Sequence, residues 1–165
     1  MTDISIEKLT LEDLATKDPL TDESLMALTD AQILELVRSV VHNGSTLNRE
    51  WVFYFDLPAG KQARVAYTHS GVNEQEAQVV DVNADTRVSS SNNYSGRDNR
   101  PIGPFTTAKK YAVFAHFKYG RPSGRPWNQA PGRVVRETPT QLEYGFEDNY
   151  VNQNYRNIIV KISIG

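Results

Sequence analysis

Glu147, Asp148, Asn149, Asn152, Gln153, Asn154 and Asn157 set seven oxygen-bearing side chains into eleven positions, interrupted by Tyr150, Tyr155 and Arg156. An apolar run from Ile158 to Ile164 follows, and the chain ends on Gly165. Oxygens at such close spacing are what a hard cation such as calcium requires, and a strand after them holds their geometry. Most of these oxygens belong to neutral amides, however, and one position is an arginine. The same residues also suit a metal-free loop, in which asparagines bond to nearby backbone and Arg156 pairs with Asp148.

Acid–base catalysis finds little support. Glu147 and Asp148 are adjacent on an extended segment, which directs them to opposite sides. His42, His69 and His116 lack ligand spacing, no Gly-rich phosphate loop opens a helix, and no Ser-His-Asp arrangement is indicated. The chain is therefore read as a non-enzyme. Tyr94, Tyr119 and Trp127, flanked by Arg97, Arg121 and Arg125, have the ring faces and charges to stack on a sugar or to close loops. Asn43-Gly44-Ser45 and Asn93-Tyr94-Ser95 match the glycosylation acceptor pattern.

These residues must be positioned by a scaffold, and the chain has the length for one domain of 165 residues. It contains no cysteine, which excludes disulfides, thiolate metal sites and cysteine nucleophiles. A net charge of −2 speaks against nucleic acid as the main partner. No stretch approaches a membrane span, and the N-terminus lacks a signal-peptide pattern. The expected location is thus cytoplasmic by default, or outside by a non-standard export route.

Charge divides the chain. Residues 1–43 hold nine acids and three bases (−6), and residues 44–165 hold eleven acids and fifteen bases (+4), which sum to −2. In the first part, Thr29-Asp30-Ala31-Gln32 fits a capping box, with Ile33, Leu36, Val37 and Val40 at helical spacing and Gly44 as a stop. Residues 1–43 are expected to form an acidic α-helical arm whose apolar stripe covers either the body or a neighbouring subunit. From Trp51 the period becomes two. Strands are expected at Glu50–Leu57, Gln62–His69, Gln75–Val82, Tyr111–Tyr119, Arg133–Glu137, Gln141–Gly145 and Arg156–Ile164. Leu57-Pro58-Ala59-Gly60 reads as the turn of a hairpin, and Ser89–Pro104 as a long polar surface loop. Short strands without a βαβ rhythm give a mainly β chain: an antiparallel β-sandwich at residues 44–165, preceded by the helical arm.

Three anchors carry a family resemblance over residues 51–165: Val52 to Gly60 followed by Arg64-Val65-Ala66, then Lys118-Tyr119-Gly120-Arg121-Pro122-Ser123, then Glu147-Asp148 to Asn157. In this order they resemble the small bacterial calcium-dependent fucose/mannose lectins of the LecB type. The resemblance implies a lectin sandwich, a homo-oligomer, and a pair of calcium ions coordinated directly by sugar hydroxyls. It places metal ligands at Glu147, Asp148, Asn152, Asn154 and Asn157, completed by a terminal carboxylate at Gly165 from a second subunit. Ser70, Gly71 and Val72, together with Asp148, fall at its sugar-binding positions. Three of its carboxylates are amides here, and Arg156 replaces an asparagine. Each exchanged charge removes about 1 kcal/mol of cation attraction at 4 Å in water, and about 4 kcal/mol at an effective dielectric of 20. Two functions are expected on this basis: a carbohydrate-binding lectin-like protein, with or without Ca2+, and a metal-free structural or self-assembling protein that uses the arm for subunit contacts.

Overall fold

The computed structural model describes residues 49–84, 86–119, 127–149 and 154–165. The expected helical arm, and with it the boundary at residue 43, lies outside them. The described chain begins with one turn of 3-10 helix, Arg49–Trp51, and continues as ten strands. These are β1 (Phe53–Leu57), β2 (Ala63–His69), β3 (Glu74–Asp81), β4 (Thr86–Asn92), β5 (Gly96–Asp98), β6 (Lys109–Lys118), β7 (Asn128–Gln129), β8 (Gly132–Glu137), β9 (Gln141–Phe146) and β10 (Ile158–Ile164). All strand pairings are antiparallel. One sheet runs β1-β6-β3-β4-β5, with β7 also on β6, and the other runs β2-β10-β9-β8.

The two sheets enclose one core, so the expected mainly β sandwich is present. Along β2, Ala63, Val65 and Tyr67 are buried while Arg64, Ala66 and Thr68 are exposed. Ile158, Val160 and Ile162 of β10 join them from the same sheet, and Phe55, Leu57, Val79 and Val113 meet them from the other. Alternation of this kind follows from the two-residue repeat of a strand with one wet face. Burying such side chains contributes about 1.5–3 kcal/mol each before conformational entropy is charged against it.

Two sequence expectations change. Leu57-Pro58-Ala59-Gly60 does not turn a hairpin, because β1 and β2 belong to different sheets. Gly60 takes φ +77° and its N–H bonds to Phe105 O, while Gln62 N–H and Ala63 N–H go to Gly165 and Ile102. Both flanking strands bury their apolar rows against the shared core, so the turn carries the chain from one layer to the other. The stretch Ser89–Pro104 is likewise not a surface loop throughout, since it holds the end of β4 and all of β5. Two of its serines, Ser89 and Ser91, are buried in the sandwich interior. Ser89 Oγ lies 2.6 Å from the Tyr67 hydroxyl, and Ser91 Oγ lies 2.7 Å from His69 Nε2, so both bridge the sheets.

Candidate functional site

One end of the sandwich brings together the connection from β2 to β3 (residues 70–73), the turn from β4 to β5 (residues 93–95) and the described parts of the connection from β9 to β10. Gln75 is its centre, and it is fully buried. Its Nε2 donates to Ser70 O at 2.7 Å and to Asp148 Oδ2 at 2.9 Å, while its Oε1 faces His69 Nδ1 at 3.0 Å. Both acceptors of Nε2 are obligatory, which fixes the orientation of the amide. His69 Nδ1 must then carry the proton, and Nε2 accepts from the Ser91 hydroxyl at 2.7 Å. Burial lowers the pKa of His69, the Gln75 bond opposes that, and the charge of Arg97 lowers it further. The imidazole is therefore held neutral and structural.

The two connections are tied directly. Ser70 N–H donates to Asn157 O at 2.8 Å, and Asn73 Nδ2 donates to Asp148 O at 3.0 Å. At Gly71, where φ is +107°, a Cβ would stand 3.0 Å from Asp148 Oδ2. The residues that the resemblance assigned to the sugar (Ser70, Gly71, Val72 and Asp148) thus share one rim with Glu147 and Asn157. Asn154 belongs to the same connection and is exposed, but its Oδ1 accepts from Arg156 N–H at 3.1 Å. Asn152 lies outside the described residues. Gly165 stands at the far end of β10, roughly 20 Å away at the rise of a strand, and its backbone pairs with Gln62.

The rim also has an apolar edge. Val72 is 75% exposed and Tyr94 is 42% exposed, and the Tyr94 hydroxyl donates to Val72 O at 2.6 Å. Asn92 Oδ1 caps the turn by accepting from Tyr94 N–H and Ser95 N–H. The tyrosine is thereby held at both ends, with its ring available to a ligand. Asn93 is engaged elsewhere, with Oδ1 on Gln75 N–H and Nδ2 on Asn73 O, so its amide is committed to the fold rather than to glycosylation. Trp127 is covered by Lys118, whose Nζ sits 4.6 Å above its ring, and Tyr119 packs edge-on against Phe117. Arg121 and Arg125 lie outside the described residues. His116 is fully buried and edge-on to Phe114.

The donor set fits a pair of calcium ions poorly. Such an ion takes six to eight oxygens, with affinity set by charged ligands. Here Glu147 and Asp148 are the two carboxylates, and three of their four oxygens already accept from N–H groups. Glu147 Oε1 accepts from Tyr155 N–H, and Asp148 Oδ2 accepts from Gln75. Asn157 Oδ1 takes Asp148 N–H at 3.5 Å. Glu147 Oε2 is a single buried oxygen without a hydrogen-bond partner. The expected Arg156–Asp148 ion pair does not form either. Arg156 is exposed, and Asp148 finds its donor in the amide of Gln75. Tyr155 adopts φ +56°, and the Arg133 guanidinium lies 4.9 Å from its ring. The described residues of the connection are tied to one another and to Gln75 by hydrogen bonds.

Gln75 and Asn73 are the residues that sequence reasoning passed over. A signal existed for the first: Gln75 occupies the core-facing row of β3 with Ala77 and Val79, where a polar residue needs a buried partner.

Comparison with protein families and with curated protein sequences yields no match. Among solved structures the chain is similar to three bacterial lectins. The C-terminal domain of the BC2L-C lectin from Burkholderia cenocepacia is 17% identical, with a TM-score of 0.45 over 66% of this chain and 91% of that one. The high-affinity mannose-binding lectin of Ralstonia solanacearum is 17% identical, with a TM-score of 0.44 over 66% and 92%. The Chromobacterium violaceum lectin CV2L, solved with alpha-methyl-fucoside, is 12% identical, with a TM-score of 0.44 over 68% and 94%.

Proposed function

We propose that this chain binds carbohydrate at the sandwich rim built from residues 70–73, Tyr94 and the described ends of the connection from β9 to β10 (residues 147–149 and 154–157), and does so without a metal ion. The observation that carries the reading is the seat of Gly71 against Asp148, with Ser70 N–H on Asn157 O. It unites sequence-distant residues that the lectin resemblance placed in one site. A sugar offers an apolar ring face and an edge of hydroxyls. The Tyr94 ring and exposed Val72 suit the face. Asn149, whose Nδ2 lies 3.3 Å from Asp148 Oδ1, and exposed Asn154 suit the hydroxyls, because amides both donate and accept. Hydroxyl–amide bonds of this kind replace the coordination that calcium supplies in the resembled family. Removing that charge makes weak, millimolar-range affinity for a single sugar the expectation.

The test is calorimetric titration of fucose, mannose and their oligosaccharides into chelator-treated protein, repeated with calcium. Binding in chelator that is lost in Tyr94→Ala and Asp148→Ala, with both variants folded, supports the reading. Binding only with calcium overturns its metal-free part. Folded protein that binds no sugar in either condition overturns it entirely and favours a scaffold that has kept the sandwich alone.

A further inference from the structure

Strand β3 and the middle of β6 are buried on both faces, and the second sheet accounts for one of them. Ala77, Val79, Val113, Ala115 and Phe117 turn toward the shared core. Their neighbours Gln78, Val80, Ala112 and Phe114 point the other way, because successive side chains of a strand alternate. The register confirms the row: Gln78 pairs with Phe114, and Val80 pairs with Ala112. None of these four has any exposure to solvent. No described strand lies over them. The outer face of the second sheet is different, with Arg64, Ala66 and Thr68 of β2 and Lys161 of β10 exposed. One outer face is wet and charged, and the other is apolar at its centre and shielded.

We infer that the outer face of β3 and β6 is the docking site of the chain's own N-terminal segment, with the stripe Ile33, Leu36, Val37 and Val40 laid across Val80, Ala112 and Phe114. Three observations select this occupant. The described chain starts at Arg49, at the β1 edge of this sheet, where Val52 is already buried. Forty-eight residues precede that point. As the helix that the sequence pattern leads one to expect, the dozen residues from Asp30 to Val41 would be about 18 Å long, enough to cross β1, β6, β3 and β4 at their spacing of about 4.8 Å. The matching of faces is also chemical. The stripe is apolar on one side and carries Gln32, Glu35 and Arg38 on the other, as a helix between a sheet and solvent requires. Docking in this way adds a third layer to the sandwich and explains why β3 and β6 lack the alternating exposure of β2 and β10.

The absence of cysteine permits a direct test. Glu35→Cys places a single thiol on the polar side of the stripe, and a nitroxide attached there broadens amide resonances of nearby residues. Broadening of Gln78, Val80, Ala112 and Phe114 within the labelled chain, with Thr68 and Lys161 sharp, is the expected result. Broadening of Thr68 and Lys161, or of no residue of either sheet, overturns it. A mixture of spin-labelled and isotope-labelled chains adds a control. Broadening of the isotope-labelled partner at these same positions shows a second copy on the face and overturns docking in cis. A second variant, Leu36→Asp with Val40→Asp, is expected to speed hydrogen exchange of β6 amides while leaving β10 unchanged. Unchanged exchange in β6 overturns the proposal.

Discussion

Gln75 Nε2 and Asp148 Oδ2 meet at 2.9 Å between two strands' ends that are 73 residues apart in sequence. The bond is charge-assisted and shielded, which places it among the stronger hydrogen bonds of a fold. Gln75→Ala leaves the Asp148 carboxylate buried without that donor and frees Ser70 O and His69 as well. The expected loss is about 3 kcal/mol, read by urea unfolding. Gln75→Glu sets a second carboxylate against the first, so its stability is expected to improve as the pH is lowered from 7 to 5.

His69 gives the fold a pH dependence of definite sign. Burial holds its pKa below the ordinary histidine value, so the unfolded chain takes up a proton before the folded one does. The stabilisation is present in full above the unfolded pKa of about 6.5 and is lost as pH falls through the lower, folded value. Unfolding midpoints at pH 8 and pH 5.5 measure the drop. His69→Gln is expected to remove most of this dependence, because glutamine does not titrate there.

Chelation is expected to leave the thermal midpoint of the protein unchanged, since three of the four carboxylate oxygens of Glu147 and Asp148 already accept from N–H donors. Restoring charge is expected to do the opposite. Asn152→Asp, Asn154→Asp and Asn157→Asp together with Arg156→Asn return three acids and remove one base. The combined variant gains calcium affinity that calorimetry detects, and its midpoint rises with added calcium.

Gly145 makes room for the loop. A Cβ there would stand 2.2 Å from Tyr155 O, a backbone atom that cannot swing aside. Tyr155 is itself in the left-handed region, so the loop has little freedom to relax. Gly145→Ala is expected to cost about 3 kcal/mol or more and to weaken any ligand bound at the rim. Calorimetric unfolding and the sugar titration measure the two effects.

The positions of β1, β2, β3, β6, β8, β9 and β10 were legible in the sequence, and those of β4, β5 and β7 were not. In β2 and β10 the period of two is written directly into Ala63-Arg64-Val65-Ala66-Tyr67 and Ile158 to Ile164, because burial and exposure alternate residue by residue. The oxygen-rich loop before β10 was legible too, since its composition is local. Pairing was not. The turn at Pro58 reads as a hairpin because turn chemistry is local, whereas the choice of sheet depends on which apolar rows share a core. Ser89 and Ser91 read as surface for the same reason: their partners, Tyr67 and His69, lie 22 positions away. The rim required the same long-range closure. Residue types alone determined that Glu147 to Asn157 could offer oxygens, and tertiary structure decided that Gln75, Asn73 and Ser70 would occupy or accompany them. Hydrogen-bond partners at a loop are selected by what the packed sheets carry to it, and that selection has no local signature in the chain.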